Sequence, residues 1–252
     1  MKNHNDFNKI CLKLRQNTFM SFVKKGEAHL GGSFSIIETL VFLFEYYLKK
    51  NDKFILSKSH SSYPFILYLR KKGYKPKLTT HLEKDVKNLI YCTTGSLGHG
   101  LPIATGMAKA LKLKKKKSKI IVMLSDGECQ EGTTWESLLI SYAHRLDNLL
   151  ILIDYNKIQA LQKIDEVLPL DNLRKKILAF NCNCIEIKNG HSLSSLQKGF
   201  SKININNKKP SVLIIHTTKG KGIEEFENDP AWHAKKIEGQ LIKIGKKSLG
   251  MS

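Results

Sequence analysis

Ile120-Ile121-Val122-Met123-Leu124-Ser125-Asp126-Gly127-Glu128 is the stretch whose reading decides the fold, and Leu149-Leu150-Ile151-Leu152-Ile153-Asp154-Tyr155-Asn156 follows the same plan. Each opens with a continuous β-branched and apolar run, the pattern of a strand buried on both faces. Each then breaks into polar residues. A helical stretch lies between them, so the pair reads as strand, helix, strand in a parallel sheet. Ligands of an open parallel sheet bind beyond the carboxyl ends of its strands. Asp126 and Asn156, thirty positions apart, are therefore expected on one edge. A carboxylate with a carboxamide oxygen is a hard-oxygen pair suited to Mg²⁺, which fills its other positions with phosphate oxygens and water. Gly127 lets a backbone approach an anion closely. Taken alone, Asp-Gly after a strand is most simply a turn.

Working outward, residues 5–25 carry Phe7, Ile10, Cys11, Leu14, Phe22 and Val23 on one helical face, with Gly26 as the stop. Ser35-Ile36-Ile37-Glu38 has the form of a capping box opening a helix over 36–49, and Thr133-Thr134-Trp135-Glu136 the same form opening one to about Arg145. A short strand is expected at 53–57 and a helix from Pro64 through Arg70, closed by Gly73 and Pro76. Further helices are expected at 102–111, 172–180 and 192–200, with strands at 184–187 and 212–215. This alternation predicts an α/β fold, a doubly wound and mostly parallel sheet with helices on both faces. One domain over 1–252 is expected, with the helical segment of about 5–50 included.

Composition bounds the function. Hydrophobic residues make up 41% and charged residues 25%, which excludes a disordered polyampholyte. No apolar run exceeds five residues, and the one at 40–44 meets Glu45 at once, too short for a membrane span. The N-terminus, Met1-Lys2-Asn3-His4-Asn5-Asp6, has no apolar signal core, and the five cysteines read as reduced thiols, so a cytoplasmic location is expected. Cys182 and Cys184 are read as structural. The 42 Lys+Arg against 22 Asp+Glu give a formal charge of +20. Only four of those cations are arginine, the better residue for bidentate phosphate and base contacts, which weighs against a nucleic-acid module. The Lys-rich run at 112–117 reads as a solvated connection, and the charge suits anionic small molecules.

The stretch Asp126-Gly127-Glu128-Cys129-Gln130-Glu131-Gly132, with Trp135-Glu136 beyond it and Asp154-Tyr155-Asn156 at its end, resembles the cofactor motif of the thiamine diphosphate enzymes, specifically the N-terminal part of transketolases. Four more blocks match in order: Ala28-His29-Leu30-Gly31-Gly32-Ser33, Leu56-Ser57-Lys58-Ser59-His60, Thr94-Gly95-Ser96-Leu97-Gly98-His99-Gly100, and Thr218-Lys219-Gly220-Lys221-Gly222 with Trp232-His233 beyond. The resemblance covers roughly residues 14–235.

It implies a thiamine diphosphate cofactor and Mg²⁺, with Ca²⁺ or Mn²⁺ as substitutes. Asp126, the Asn156 side chain and the Ile158 carbonyl would hold the metal. Gly127 and His60 would contact the diphosphate, and Gly95 and Leu97 would line the middle of the cofactor. Glu131 matches a carboxylate at the subunit contact. His29, His81 and His233 match histidines around the thiazolium and the sugar hydroxyls, where imidazoles can pass protons near neutral pH. His99 stands where the family often has Gln, and His144 and His191 are read as structural or exposed.

Departures exist. Ser125 and Ser59 replace glycines, Leu30 a proline and Lys157 a small residue; His81 lacks the family's flanking Gly and Pro. The connection from Gly73 to Tyr91 is short, and substrate-facing loops of this kind set specificity. The resemblance also implies a pyrimidine-binding domain, absent from these 252 residues. A split transketolase that moves a two-carbon ketol unit between sugars is therefore expected. This chain would be a homodimer within a heterotetramer, completed by a separate C-terminal subunit. A related synthase or lyase for an unusual sugar is the alternative. The Ile36–Leu48 segment and the region of Trp135 are candidate contact surfaces.

Overall fold

The computed structural model describes residues 4–26, 29–160 and 162–252. Its elements are α1 (His4–Lys25), α2 (Leu30–Ser35), α3 (Ile37–Phe42), β1 (Lys53–Leu56), α4 (Ser62–Lys71), α5 (Gly100–Leu113), β2 (Ile120–Ser125), α6 (Gly132–Ala143), β3 (Leu149–Tyr155), α7 (Ile164–Val167), α8 (Leu173–Ala179), β4 (Asn183–Ile187), α9 (Leu193–Phe200), β5 (Ser211–His216) and α10 (Gln240–Ser248). The five strands form one parallel sheet in the order β1-β2-β3-β5-β4.

Successive residues of β2 and β3 feed opposite cores, as strands buried on both faces must. Ile121, Met123, Leu150 and Leu152 join α1–α4 and α9 on one face. Ile120, Val122, Leu124, Leu149, Ile151 and Ile153 join α5, α6 and α8 on the other. Handedness explains the division. The chain steps one way along the sheet from β1 to β4 through α5, α6 and α8, then steps back from β4 to β5 through α9. Right-handed crossovers put connections of opposite direction on opposite faces.

Both capping boxes are overturned. The helix expected over 36–49 runs over 37–47, as α3 and then a wider π turn at Leu43–Tyr47 that leads into extended backbone at Leu48, and α2, which ends just before it at Ser35, has no counterpart in the sequence reading. Ser35 Oγ bonds Gly32 O (2.9 Å) and Asp154 Oδ2 (2.6 Å), while Glu38 bonds Arg15 and His191. At α6 the N-cap is Glu131, without a side-chain bond, and Thr133 Oγ1 donates to Gly98 O at 2.9 Å. Tertiary partners took the side chains that a local cap would have used. The remaining strands and helices lie within one to two residues of expectation, and α7 and α10 have no counterpart in the sequence reading. Cys182 is buried and Cys184 half-buried, both as free thiols. Among the described residues no helix is long and apolar enough to cross a membrane.

Leu152, fully buried in β3, packs at the centre of the sheet. Leu152→Ala is expected to lower unfolding free energy by about 2–5 kcal/mol, the cost of a core cavity, as read by denaturant titration.

Candidate functional site

Parallel register builds the site. Ser125 pairs with Asp154, and the Asp126 N–H continues the ladder onto the Asp154 carbonyl at 3.2 Å, so both polar tails leave the sheet on the same edge. One cavity of about 210 Å³ opens there. It is lined by Asp126, Gly127, Asn156, Ile158, His29, His60, His81, Gly95, Leu97 and His233, ten of the eleven residues singled out from sequence. Glu131 is the exception: it lies outside the cavity, exposed, at the head of α6. His99 is also outside, its Nδ1 2.9 Å from the Leu97 carbonyl oxygen. Ala28, which heads one matched block, lies outside the described residues.

Three buried carboxylates organise this edge. Asp154 pairs with Lys58, accepts from Ser35 (2.6 Å), Thr217 and the Asn156 amide (3.1 Å), and is 2% exposed. Burial alone would raise its pKa, but the Lys58 ammonium and these donors hold it below the usual carboxylate range. Glu128 accepts from Ser57, from Ser125 N (2.8 Å) and from Gly98 N (3.1 Å), which clamps the 94–100 loop to the sheet edge. Its pKa is raised because burial outweighs those bonds.

Asp126 differs from both. Each of its oxygens accepts one backbone N–H, from Gly127 (2.9 Å) and Lys157 (2.6 Å). Burial first, and then the neighbouring Asp154 charge, push it up to about 7. An ionised Asp126 thus lacks a cation of its own.

That is the chemistry a divalent ion would complete. Among the described residues no trio of His, Cys, Asp or Glu forms a metal cluster. The Asp126 carboxylate, the Asn156 Oδ1 and the Ile158 carbonyl instead offer hard oxygens that leave room for phosphate and water, as Mg²⁺ prefers. Asn156 Nδ2 is committed to Asp154, which fixes the orientation of its amide.

Two lysines escaped sequence reasoning. Lys58 and Lys219, each 1% exposed, both line the cavity. Lys58 Nζ reaches Gly32 O at 3.2 Å as well as Asp154. Lys219 Nζ donates to the carbonyls of Ile158 (3.2 Å) and Gln159 (3.1 Å) and to His233 Nδ1 (3.2 Å). Burial and the Lys58 charge draw Lys219 down to about 8. Their only sequence signal was membership of matched blocks.

The imidazoles of His29, His60 and His233 stand with ring centroids 5.3–5.9 Å apart. Burial and the nearby cations, Lys58 foremost, hold His60 well below 6.5. Burial and Lys219 take His233 to about 3, so both rings are neutral near pH 7. His81 lies at the mouth against Gly95, whose φ of +154° and 2.9 Å approach of a virtual Cβ to the His81 ring leave no room for a side chain.

Buried carboxylate and carboxamide oxygens at neighbouring strand ends, faced by two ammonium groups and neutral imidazoles, define an α/β protein with a pocket fit for a metal-bound diphosphate cofactor. Residues 21–252 match the family described as transketolase, thiamine diphosphate binding domain. The chain is 32% identical over 235 residues to one of the subunits of the apulose-4-phosphate transketolase of Phocaeicola vulgatus, covering 85% of this chain and 83% of that one. It is 32% identical over 251 residues to the 6-deoxy-6-sulfo-D-fructose transketolase subunit SqwG of a Clostridium species, covering 91% of each. The solved structure of Leishmania mexicana transketolase superposes with a TM-score of 0.88 at 21% identity, over 98% of this chain but only 41% of that one. The chain belongs to the transketolase family, as its thiamine diphosphate-binding domain.

Lys58→Met strands the Asp154 charge and is expected to destabilise the chain by about 3–5 kcal/mol, with a Lys58→Met/Asp154→Asn double variant losing less than the sum of the two singles. Because Asp154 is held below its unfolded pKa, its contribution is present above that value and is lost as pH falls through the folded one. The stability gap between wild type and Lys58→Met, followed by denaturant titration with circular dichroism, should therefore narrow as pH falls, because protonation relieves the stranded Asp154 charge in the variant.

Proposed function

We propose that this chain is the diphosphate-binding subunit of a two-chain transketolase, transferring a two-carbon ketol unit between sugars. The observation that carries the reading is the convergence of ten residues singled out from sequence and two buried lysines on one cavity at the sheet edge. At about 210 Å³ this cavity falls below the ~300–1,000 Å³ usual for a ligand site, which agrees with a site that a second polypeptide completes. A separate pyrimidine-domain subunit would close it, with two copies of this chain at the centre of a heterotetramer. We take 1–252 as one domain that works in the cytoplasm.

When bound, thiamine diphosphate supplies a carbon nucleophile toward the ketose carbonyl. The chain's own part is binding and proton handling. Asp126, Asn156 Oδ1 and the Ile158 carbonyl would hold Mg²⁺, or Ca²⁺ or Mn²⁺ in its place. His60, Gly127, Lys58 and Lys219 would face the diphosphate, and Gly95 and Leu97 the middle of the cofactor. Because Lys219 Nζ donates to His233 Nδ1, the His233 proton sits on Nε2, ready to donate to a sugar oxygen. His29, next to it, can accept one, with His81 at the entrance. The two bacterial relatives carry names of sugars with an anionic end, a phosphate and a sulfonate. The overall positive charge suits the same class of substrate.

Calorimetric titration of thiamine diphosphate with Mg²⁺ tests the binding half. Asp126→Ala should abolish uptake because it removes the only charged metal ligand; unchanged affinity would refute the assignment. His233→Ala should keep cofactor affinity while ketol transfer by the two-chain enzyme slows by about 10²–10⁴, the range for a lost acid–base group.

A further inference from the structure

We propose that His191 is a positioning residue: its Nε2 fixes the place of the Thr217-Thr218-Lys219 segment, and with it the Thr217 hydroxyl on Asp154 and the Lys219 ammonium in the cavity. The consequence for cofactor binding rests on the function proposed above.

The segment is short and doubly committed. Thr217 Oγ1 donates to Asp154, and Lys219 Nζ reaches Ile158, Gln159 and His233. Between them, the Thr218 N–H donates to His191 Nε2 at 2.8 Å. A backbone amide can only donate, so Nε2 keeps its lone pair and the ring proton belongs to Nδ1. That Nδ1 donates to Glu38 Oε2 at 2.9 Å, and Glu38 Oε1 accepts from Arg15 Nη2 at 2.7 Å. Burial would raise the Glu38 pKa, yet Arg15 and His191 bring it to about 2, so the carboxylate is ionised.

The chain of bonds thus starts in α1, passes α3 and the turn before α9, and ends on one main-chain amide flanked by Thr217, held on Asp154, and Lys219, which lines the cavity. Downstream, Gly222, at φ +101°, rests on the same Arg15 side chain, where a Cβ would come within 2.7 Å. An imidazole held at both ring nitrogens cannot rotate. It therefore places the Thr218 amide more tightly than a hydroxyl or a water would.

His191→Asn and His191→Gln, made in the full chain, separate this role from simple packing. Asn keeps a donor for Glu38 but falls short of Thr218; Gln reaches Thr218 with an acceptor. In both, Arg15 stays on Glu38, so the buried charge keeps its main partner. Amide exchange over residues 217–222, without cofactor, is expected to quicken roughly tenfold in His191→Asn, the weight of one lost buried hydrogen bond, and to stay near wild type in His191→Gln. Thiamine diphosphate affinity in Mg²⁺ should weaken roughly tenfold in the Asn variant and recover in the Gln variant. Equal losses of melting temperature in both variants, with exchange and affinity unmoved, would reduce His191 to packing and overturn the proposal. If the wild-type chain takes up no thiamine diphosphate, the functional reading fails on its own, while exchange over 217–222 still decides the role of His191.

Discussion

The ionised carboxylate of Asp154 holds the working edge of the sheet together. An isolated charge this far from water costs several kcal/mol, and it persists only where a counter-charge and hydrogen bonds surround it. Asp154 draws its partners from four places: Lys58 after β1, Ser35 at the end of α2, Thr217 after β5, and Asn156 beyond its own strand. Satisfying one buried anion therefore brings four segments to one point. It also fixes the Asn156 amide, whose Oδ1 accepts the Ile158 N–H at 3.1 Å and keeps a second lone pair to offer. Asp154 thereby decides where the Asn156 oxygen aims.

Three carboxylates within a few residues of the strand ends have been given three environments. Asp154 has a lysine and is held ionised. Glu128 has only neutral donors and serves as a scaffold for the 94–100 loop. Asp126 has two backbone amides and no cation, and its pKa is raised. Such divergence among neighbouring acids separates structural from functional roles. Asp126 alone of the three lines the cavity, where something outside the chain can balance its charge. The lysines follow the same logic, since Lys58 is spent on Asp154 while Lys219 spans carbonyls and an imidazole inside the cavity.

Much of this was legible in the sequence, for physical reasons that differ by element. β2 and β3 announce themselves because a strand buried on both faces has no polar alternation. The helices of the crossovers follow from their spacing. The Ser35 and Glu38 pair misled because a capping box and a tertiary network need the same residue types, and here distant Asp154, Arg15 and His191 outbid the local backbone. The break at Ile36 follows, for neither side chain is left to cap α3. Lys58 and Lys219 were hidden by composition, two buried ammonium groups in a chain with 42 basic residues. Glu131, matched by its motif to a carboxylate at a subunit contact, lies exposed at the head of α6 and outside the cavity.

The central claim is that Asp126 and Asn156 hold a divalent cation which anchors a diphosphate. Anomalous diffraction from crystals grown with Mn²⁺ and thiamine diphosphate tests it most directly. The account predicts one strong peak within bonding distance of Asp126, the Asn156 oxygen and the Ile158 carbonyl, with the diphosphate completing the shell. A peak elsewhere, or diphosphate density with no metal against Asp126, would contradict it.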